Sequence, residues 1–259
     1  MADLVRNYIG GVWVESRSGE TFETINPATL AVIASVAKSS ADDVNAAVAA
    51  AKSAYAAWRL TPAPRRGEIL FRLAQVLTDR KEPLSRLMTQ EMGKPLAETR
   101  GDVQEAIDMA YYMGGEGRRL KGYTAPVEMP NKFGMALRDS VGVVGLITPW
   151  NFPVAVPSWK MLPALVAGNT IVWKPSEETP ASSALFLESF IEAGIPAGVL
   201  NLVQGYGDAG AALTMHPDVR ILSFTGSTTT GLNVYSKAAA LGKKVTLEMQ
   251  PVDRKSTRL

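Results

Sequence analysis

The chain has 259 residues, 46% of them hydrophobic, enough to fill an extensive core in one large domain or two small ones. Lys and Arg number 27 against 25 for Asp and Glu, with one His, and the formal charge of +2 gives no single-sign field that would call for nucleic acid or an anionic membrane as partner. Cysteine is absent, which excludes disulfides, thiolate metal sites and a thiol nucleophile within this chain.

The opening residues lack the apolar stretch of a signal peptide, and no run approaches the ~20 apolar residues of a membrane span, so a cytoplasmic location is expected. Short extended pieces at 8–9 and 12–14, joined by Gly10 and Gly11, predict a hairpin. A turn follows at 26–29. Val44, Val48, Ala51 and Tyr55 recur at three- and four-residue spacing and predict a helix over 41–58 with Ser40 as N-cap. Further helices are expected at 64–77, 83–92 and 97–119, the last two separated by Gly93-Lys94-Pro95. Residues 122–138, rich in Pro and Gly yet alternating, read as a projecting extended arm.

From Val141 onward, short apolar β-branched runs alternate with helical stretches, the pattern of a parallel sheet with crossover helices. Strands are expected at 143–148, 170–173, 200–203, 219–224 and 245–248, and helices at 156–167, 181–193, 208–215 and 227–241. Thr179 and Pro180 supply an N-cap and a first-turn proline for the second of these helices, and Gly194 its stop. His216, near a helix end, reads as a capping or surface residue.

Gly205, Gly207 and Gly210 fit G-x-G-x-x-G between a strand and a helix, the arrangement of a dinucleotide fingerprint. That fingerprint requires an acid at the end of the next strand, yet that strand ends in Ser223-Phe224-Thr225-Gly226. A better-placed acid is Glu177, just beyond the strand 170–173, where it could accept ribose hydroxyls beside the donor Lys174; a solvated loop is the plainer alternative. Phe224, Gly226 and Ser227 stand between a strand and a helix whose amino end attracts phosphate, although in isolation an ordinary Ser/Thr cap in a glycine turn is the plainer reading. Trp150 and Asn151 lie on a loop that follows the strand ending at Thr148 and is stiffened by Pro149 and Pro153, where the Asn amide can donate to an oxyanion, unless the loop is only a turn with Trp150 in the core.

Taken together, 147–153, 173–180, 224–227 and Leu247-Glu248-Met249, with Glu91-Met92-Gly93-Lys94-Pro95 upstream, occur in the order and spacing of the aldehyde dehydrogenase superfamily, which the chain resembles from about Tyr8 to Met249. The resemblance implies an α/β fold, a variant Rossmann open parallel sheet with an N-terminal helical layer and a projecting oligomerisation arm. It divides the chain into a helical part at 1–121, the arm at 122–140, the cofactor-binding core at 141–249 and a non-family tail at 250–259. It further implies that Gly226 and Ser227 take the pyrophosphate of NAD, with NADP as the other candidate cofactor. Lys174 and Glu177 take the adenosine ribose, Gly207 and Gly210 line the adenine pocket, and Thr148, Trp150 and Phe224 border the cofactor. Asn151 resembles the oxyanion amide and Glu248 the general base.

The family oxidises aldehydes through a cysteine thiolate, and its full-length members form dimers or tetramers. A chain without cysteine is therefore expected to be a fragment that is inactive alone. A non-catalytic dinucleotide-binding or subunit-interaction module is the alternative. A relative reducing acyl phosphates or acyl-CoA esters is less compatible, because Glu248 is useful only where water takes the acyl group.

Overall fold

The computed structural model describes residues 4–250; of the expected tail, all but the backbone of Gln250 lies outside the described residues. The chain opens with β1 (Leu4–Val5), β2 (Asn7–Ile9), β3 (Val12–Val14), β4 (Thr21–Ile25) and β5 (Val32–Ala37). β2 and β3 form the expected hairpin, and Gly10 and Gly11 take φ +64° and +97° in its turn. A Cβ on Gly11 would stand 2.5 Å from that of Ala197, so the turn also needs glycine for close approach. The sheet β1-β5-β4 was not expected from the sequence, because β1 spans only two residues and β4 mixes exposed Thr and Glu with its apolar positions.

Four helices follow: α1 (Ala41–Leu60), α2 (Ala63–Asp79), α3 (Lys81–Met92) and α4 (Leu96–Glu116), each within a few residues of its expected bounds. Ser40 precedes α1, and Asp43 on the first turn accepts its backbone N–H at 2.8 Å. Gly93, at φ +76°, ends α3 in the left-handed conformation that closes helices. The arm is a two-stranded antiparallel ribbon of β6 (Tyr123–Pro126) and β7 (Phe133–Ala136).

The remaining elements alternate as expected: β8 (Val143–Ile147), α5 (Ala155–Val166), β9 (Thr170–Lys174), α6 (Pro180–Glu192), β10 (Leu200–Leu202), α7 (Gly207–Met215), β11 (Val219–Ser227), α8 (Thr228–Ala240) and β12 (Lys244–Gln250). They build a sheet of order β12-β11-β8-β9-β10, all parallel, which the opening hairpin extends antiparallel through β2 and β3. Side chains on β9 alternate between two cores. Ile171 and Trp173 join residues of α2, α4, α5 and α6, while Val172 joins those of α1, α7 and α8. Helices thus cover both faces of the sheet, and Trp173 meets Phe186 edge-on at 6.1 Å in the larger core.

Two local expectations need correction. β11 runs on to Ser227 and α8 starts at Thr228, because β12 pairs with β11 as far as Ser227 opposite Gln250 and holds those residues extended. Thr179 stands at the N-cap of α6 but its side chain makes no capping hydrogen bond. The buried carboxylate of Glu91 on α3 substitutes, accepting the N–H groups of Ala181 and Ser182, both at 2.8 Å.

Candidate functional site

The carboxyl ends of β8, β9 and β11 face the amino ends of α7 and α8 across a cleft of about 400 Å³. Its lining includes Thr148 and Trp150 after β8, Lys174 and Glu177 after β9, Gly207 and Gly210 on α7, and Phe224, Gly226 and Ser227 leading into α8. The residues expected at a cofactor thus converge from four separate segments.

Lys174 is buried at the end of β9 and donates from Nζ to Glu177 Oε2 at 3.0 Å, leaving the half-buried carboxylate turned toward the cleft. Thr148 is also buried, and its Oγ1 accepts the indole N–H of Trp173 at 2.9 Å, which anchors the start of the 148–153 loop to the core. Trp150 is 50% exposed, which rules out its packing as a core residue.

The three fingerprint glycines do different work. Gly205, at φ +132°, would bring a Cβ within 3.1 Å of the backbone nitrogen of Ser39, so it packs against the start of α1. A Cβ on Gly207 would meet nothing within 4 Å, and one on Gly210 would meet only Ile147 and Lys174 at 3.7 and 3.9 Å; side chains there would fill the cleft. These bare positions leave a cradle of the kind a flat base and sugar need. Gly226 cannot be replaced so freely, since its Cβ would lie 2.7 Å from the Phe224 ring. Ser227 caps α8 by accepting the Thr230 N–H at 3.3 Å, and the positive end of the helix dipole points into the cleft.

Sequence reasoning missed Thr230, Asn233, Val234 and Lys237, which line the cleft from one face of α8. They share one helical face, at i, i+3, i+4 and i+7 spacing, which does not by itself distinguish a cleft wall from a solvated surface.

The two residues expected to act catalytically flank the cleft and do not line it. Asn151 lines a neighbouring cavity of about 290 Å³ together with Lys94, Glu98, Trp150 and Phe152. Its loop is pinned from the turn between α3 and α4 and from α4 itself. Lys94 Nζ donates to the Asn151 carbonyl at 3.0 Å, stands 3.5 Å from the centre of the Phe152 ring and lies 3.9 Å from the buried Asp102 carboxylate. Glu248 on β12 accepts from Thr225 Oγ1 at 3.0 Å, and Lys160 Nζ of α5 approaches the same oxygen at 3.6 Å. Burial lowers the pKa of Lys160, with Glu248 opposing that shift. His216 sits at the C-cap of α7 and accepts the Asp218 N–H at 3.1 Å, a local structural role.

No described helix is long and apolar enough to cross a membrane. The sequence model of the aldehyde dehydrogenase family matches residues 13–253. Malonate-semialdehyde dehydrogenase 2 of Geobacillus kaustophilus is 47% identical over 242 residues, which are 93% of this chain and 50% of that protein. Among solved structures, an NADP-dependent enzyme of E. coli superposes with a TM-score of 0.93 at 41% identity, over 95% of this chain and 52% of the other. An NAD-dependent aldehyde dehydrogenase of Sinorhizobium meliloti also gives 0.93, at 38% identity, over 96% and 50%. The chain therefore spans about half the length of the relatives it matches. With the family match covering nearly all of it and the same fold in those structures, the chain belongs to the aldehyde dehydrogenase family.

Proposed function

We propose that this chain is the NAD-binding part of an enzyme that oxidises an aldehyde to a carboxylic acid, and that it binds the cofactor without turning over aldehyde. The observation that carries this reading is the single cleft shared by Lys174, Glu177, Gly207, Gly210, Gly226 and Ser227. Glu177 accepts the adenosine ribose hydroxyls, and Lys174, held against it, donates to the same sugar. Gly226 and Ser227 bring the pyrophosphate to the amino end of α8, where the dipole favours anions. Gly207 and Gly210 leave space for the adenosine, while Thr148, Trp150 and Phe224 border the rest of the cofactor.

When bound, the nicotinamide supplies the hydride acceptor. In the whole enzyme the Asn151 side-chain amide donates to the developing oxyanion, from a loop that Lys94 and Asp102 hold in place. Glu248 takes a proton from the water that releases the acyl group. The thiolate that the family mechanism requires has no counterpart here, since the sequence contains no cysteine. The cation near Glu177 is already paired, so the carboxylate favours NAD over NADP by repelling a 2′-phosphate. A homodimer or homotetramer is the assembly we expect of the whole enzyme.

Titration of NAD into the purified chain, followed by calorimetry and by NADH absorbance with and without aldehyde, tests this. Saturable binding without NADH formation is expected. Absence of binding, or turnover near ~1 per second, would overturn the reading.

A further inference from the structure

The opposite end of the same sheet holds a second cavity, of about 440 Å³, where β11 and β12 begin and α8 ends. β11 is nine residues long, so this cavity lies roughly 25 Å from the cofactor cleft. Arg220, Lys243 and Lys244 line it with Val141, Pro217 and Gly242, and no carboxylate of a described residue does. Three cations thus converge in a chain whose net charge is only +2.

Helix capping explains one of them. Lys243 Nζ donates to the carbonyls of Thr214 and His216 at 2.7 and 2.5 Å and so closes the negative end of α7. Burial lowers its pKa to about 8. At the end of α8 the carbonyls of Ala238 and Ala239 are taken by the N–H groups of Leu241, Gly242 and Lys243. Arg220 and Lys244 cap neither helix and make no hydrogen bond or ion pair with a described residue. Asp218 feels the charge of Arg220, but its carboxylate is bonded to Lys52 at 2.7 Å and does not line the cavity.

The backbone is shaped around Arg220. Val219 pairs with Val143 and Ile221 with Val144, so two residues of β11 stand against one of β8 and Arg220 is the extra residue of a bulge, a device that re-aims a side chain. Gly142, at φ +127°, gives it room, since a Cβ there would lie 3.3 Å from Arg220 Cγ. A Cβ on Gly242, at φ +66°, would meet nothing within 4 Å, so the turn before Lys243 leaves the mouth open. The cavity therefore holds a guanidinium, whose fork can bind two oxygens of one anion, together with two ammonium groups.

We propose that this cavity binds a phosphate group, gripped by the Arg220 guanidinium, with Lys244 and the remaining N–H of Lys243 supplying further charge-assisted bonds. The site lies apart from the cofactor cleft and does not depend on how that cleft is read.

The test is the melting temperature of the intact chain titrated with inorganic phosphate, and separately with glycerol 3-phosphate, at constant ionic strength, with and without NAD. Stabilisation should saturate, as binding to the folded state requires, and should persist with NAD present. The ligand that saturates at the lower concentration tells whether the site takes the free ion or an ester. Arg220→Gln should raise the half-saturating concentration roughly tenfold through loss of a charge-assisted pair. Lys244→Gln should raise it several-fold, and keeps the test open if the first variant fails to fold; neither should change NAD affinity. A melting temperature that follows ionic strength alone, or variants that respond like the parent, would overturn the site. So would stabilisation that NAD abolishes, since phosphate would then be bound at the amino end of α8. If NAD itself does not bind, the two variants decide alone.

Discussion

Asp102 Oδ1 accepts the backbone N–H of Ala155 at 2.7 Å, tying the second turn of α4 to the first turn of α5. The other carboxylate oxygen is buried without a hydrogen-bond partner, 3.9 Å from Lys94. Desolvation raises the pKa of Asp102 from 3.8 to about 7, against the opposing pull of the Ala155 N–H and of Lys94. An acid whose pKa is higher in the folded state binds its proton more tightly there. Stability from this group therefore falls as pH rises from about 4 to about 7 and levels off above. In Asp102→Asn that slope should vanish, so the variant gains melting temperature relative to the parent between pH 5 and 8. A difference that does not change with pH would show that Asp102 is ionised throughout this range.

Glu91 carries four donors: the N–H groups of Ala181 and Ser182, the Ser182 hydroxyl at 2.6 Å and the Thr24 hydroxyl at 3.1 Å. The peptide donors go to separate oxygens. Glu91→Gln must then turn an amide NH₂ toward one of them, leaving a buried N–H unpaired at a cost of ~1–3 kcal/mol. The midpoint of urea unfolding should drop with little change in slope. A midpoint equal to the parent's would mean that α6 does not depend on this cap.

NAD should bind more tightly than NADP, and Glu177→Gln should narrow the difference by removing the charge that faces the 2′-phosphate. The gain should appear mainly in NADP affinity and shrink at high salt. Equal titration curves for the two cofactors in the parent chain would remove this basis for selectivity.

Phe133, Met135 and Leu137 alternate along β7 and its continuation and are 71%, 61% and 74% exposed. A ribbon with one apolar face and unpaired edges favours association. Sedimentation at micromolar concentration should show the chain as an oligomer, and Phe133→Ser with Leu137→Ser should shift it toward monomer. A monomeric parent chain would leave the arm without a role in assembly.

Much of the architecture was legible because the periodicity from β8 to β12 was clean: short runs centred on apolar residues at β8 and β9 alternate with helices, the one after β9 bounded by Pro180 and Gly194. The cleft was legible where chemistry is carried by rare residue choices, as with Glu177 after β9 or Gly226 against Phe224. What escaped was tertiary. Nothing local in Thr179-Pro180 reveals that Glu91, on another helix, occupies the capping site. The Lys94 contact to Asn151 crosses 57 positions of sequence, and the β1-β5-β4 sheet depends on pairings that a two-residue strand cannot announce. Asn233 and Lys237 were overlooked for a different reason: on an exposed helix face, polar residues look like ordinary solvated positions until the opposing wall is known.

The antiparallel attachment of the opening hairpin also sets an order of events. Tyr8 pairs with Leu202, the N–H of Gly10 donates to Asn201 Oδ1 across 191 positions, and Gln204 donates its N–H to Asn7. Closing so long a loop costs chain entropy before any contact repays it. On a ribosome the partner strand has not yet been made when the hairpin emerges. The hairpin therefore has to wait for β10 before it can join the sheet, and until it does, β10 remains an open edge on which another copy can pair.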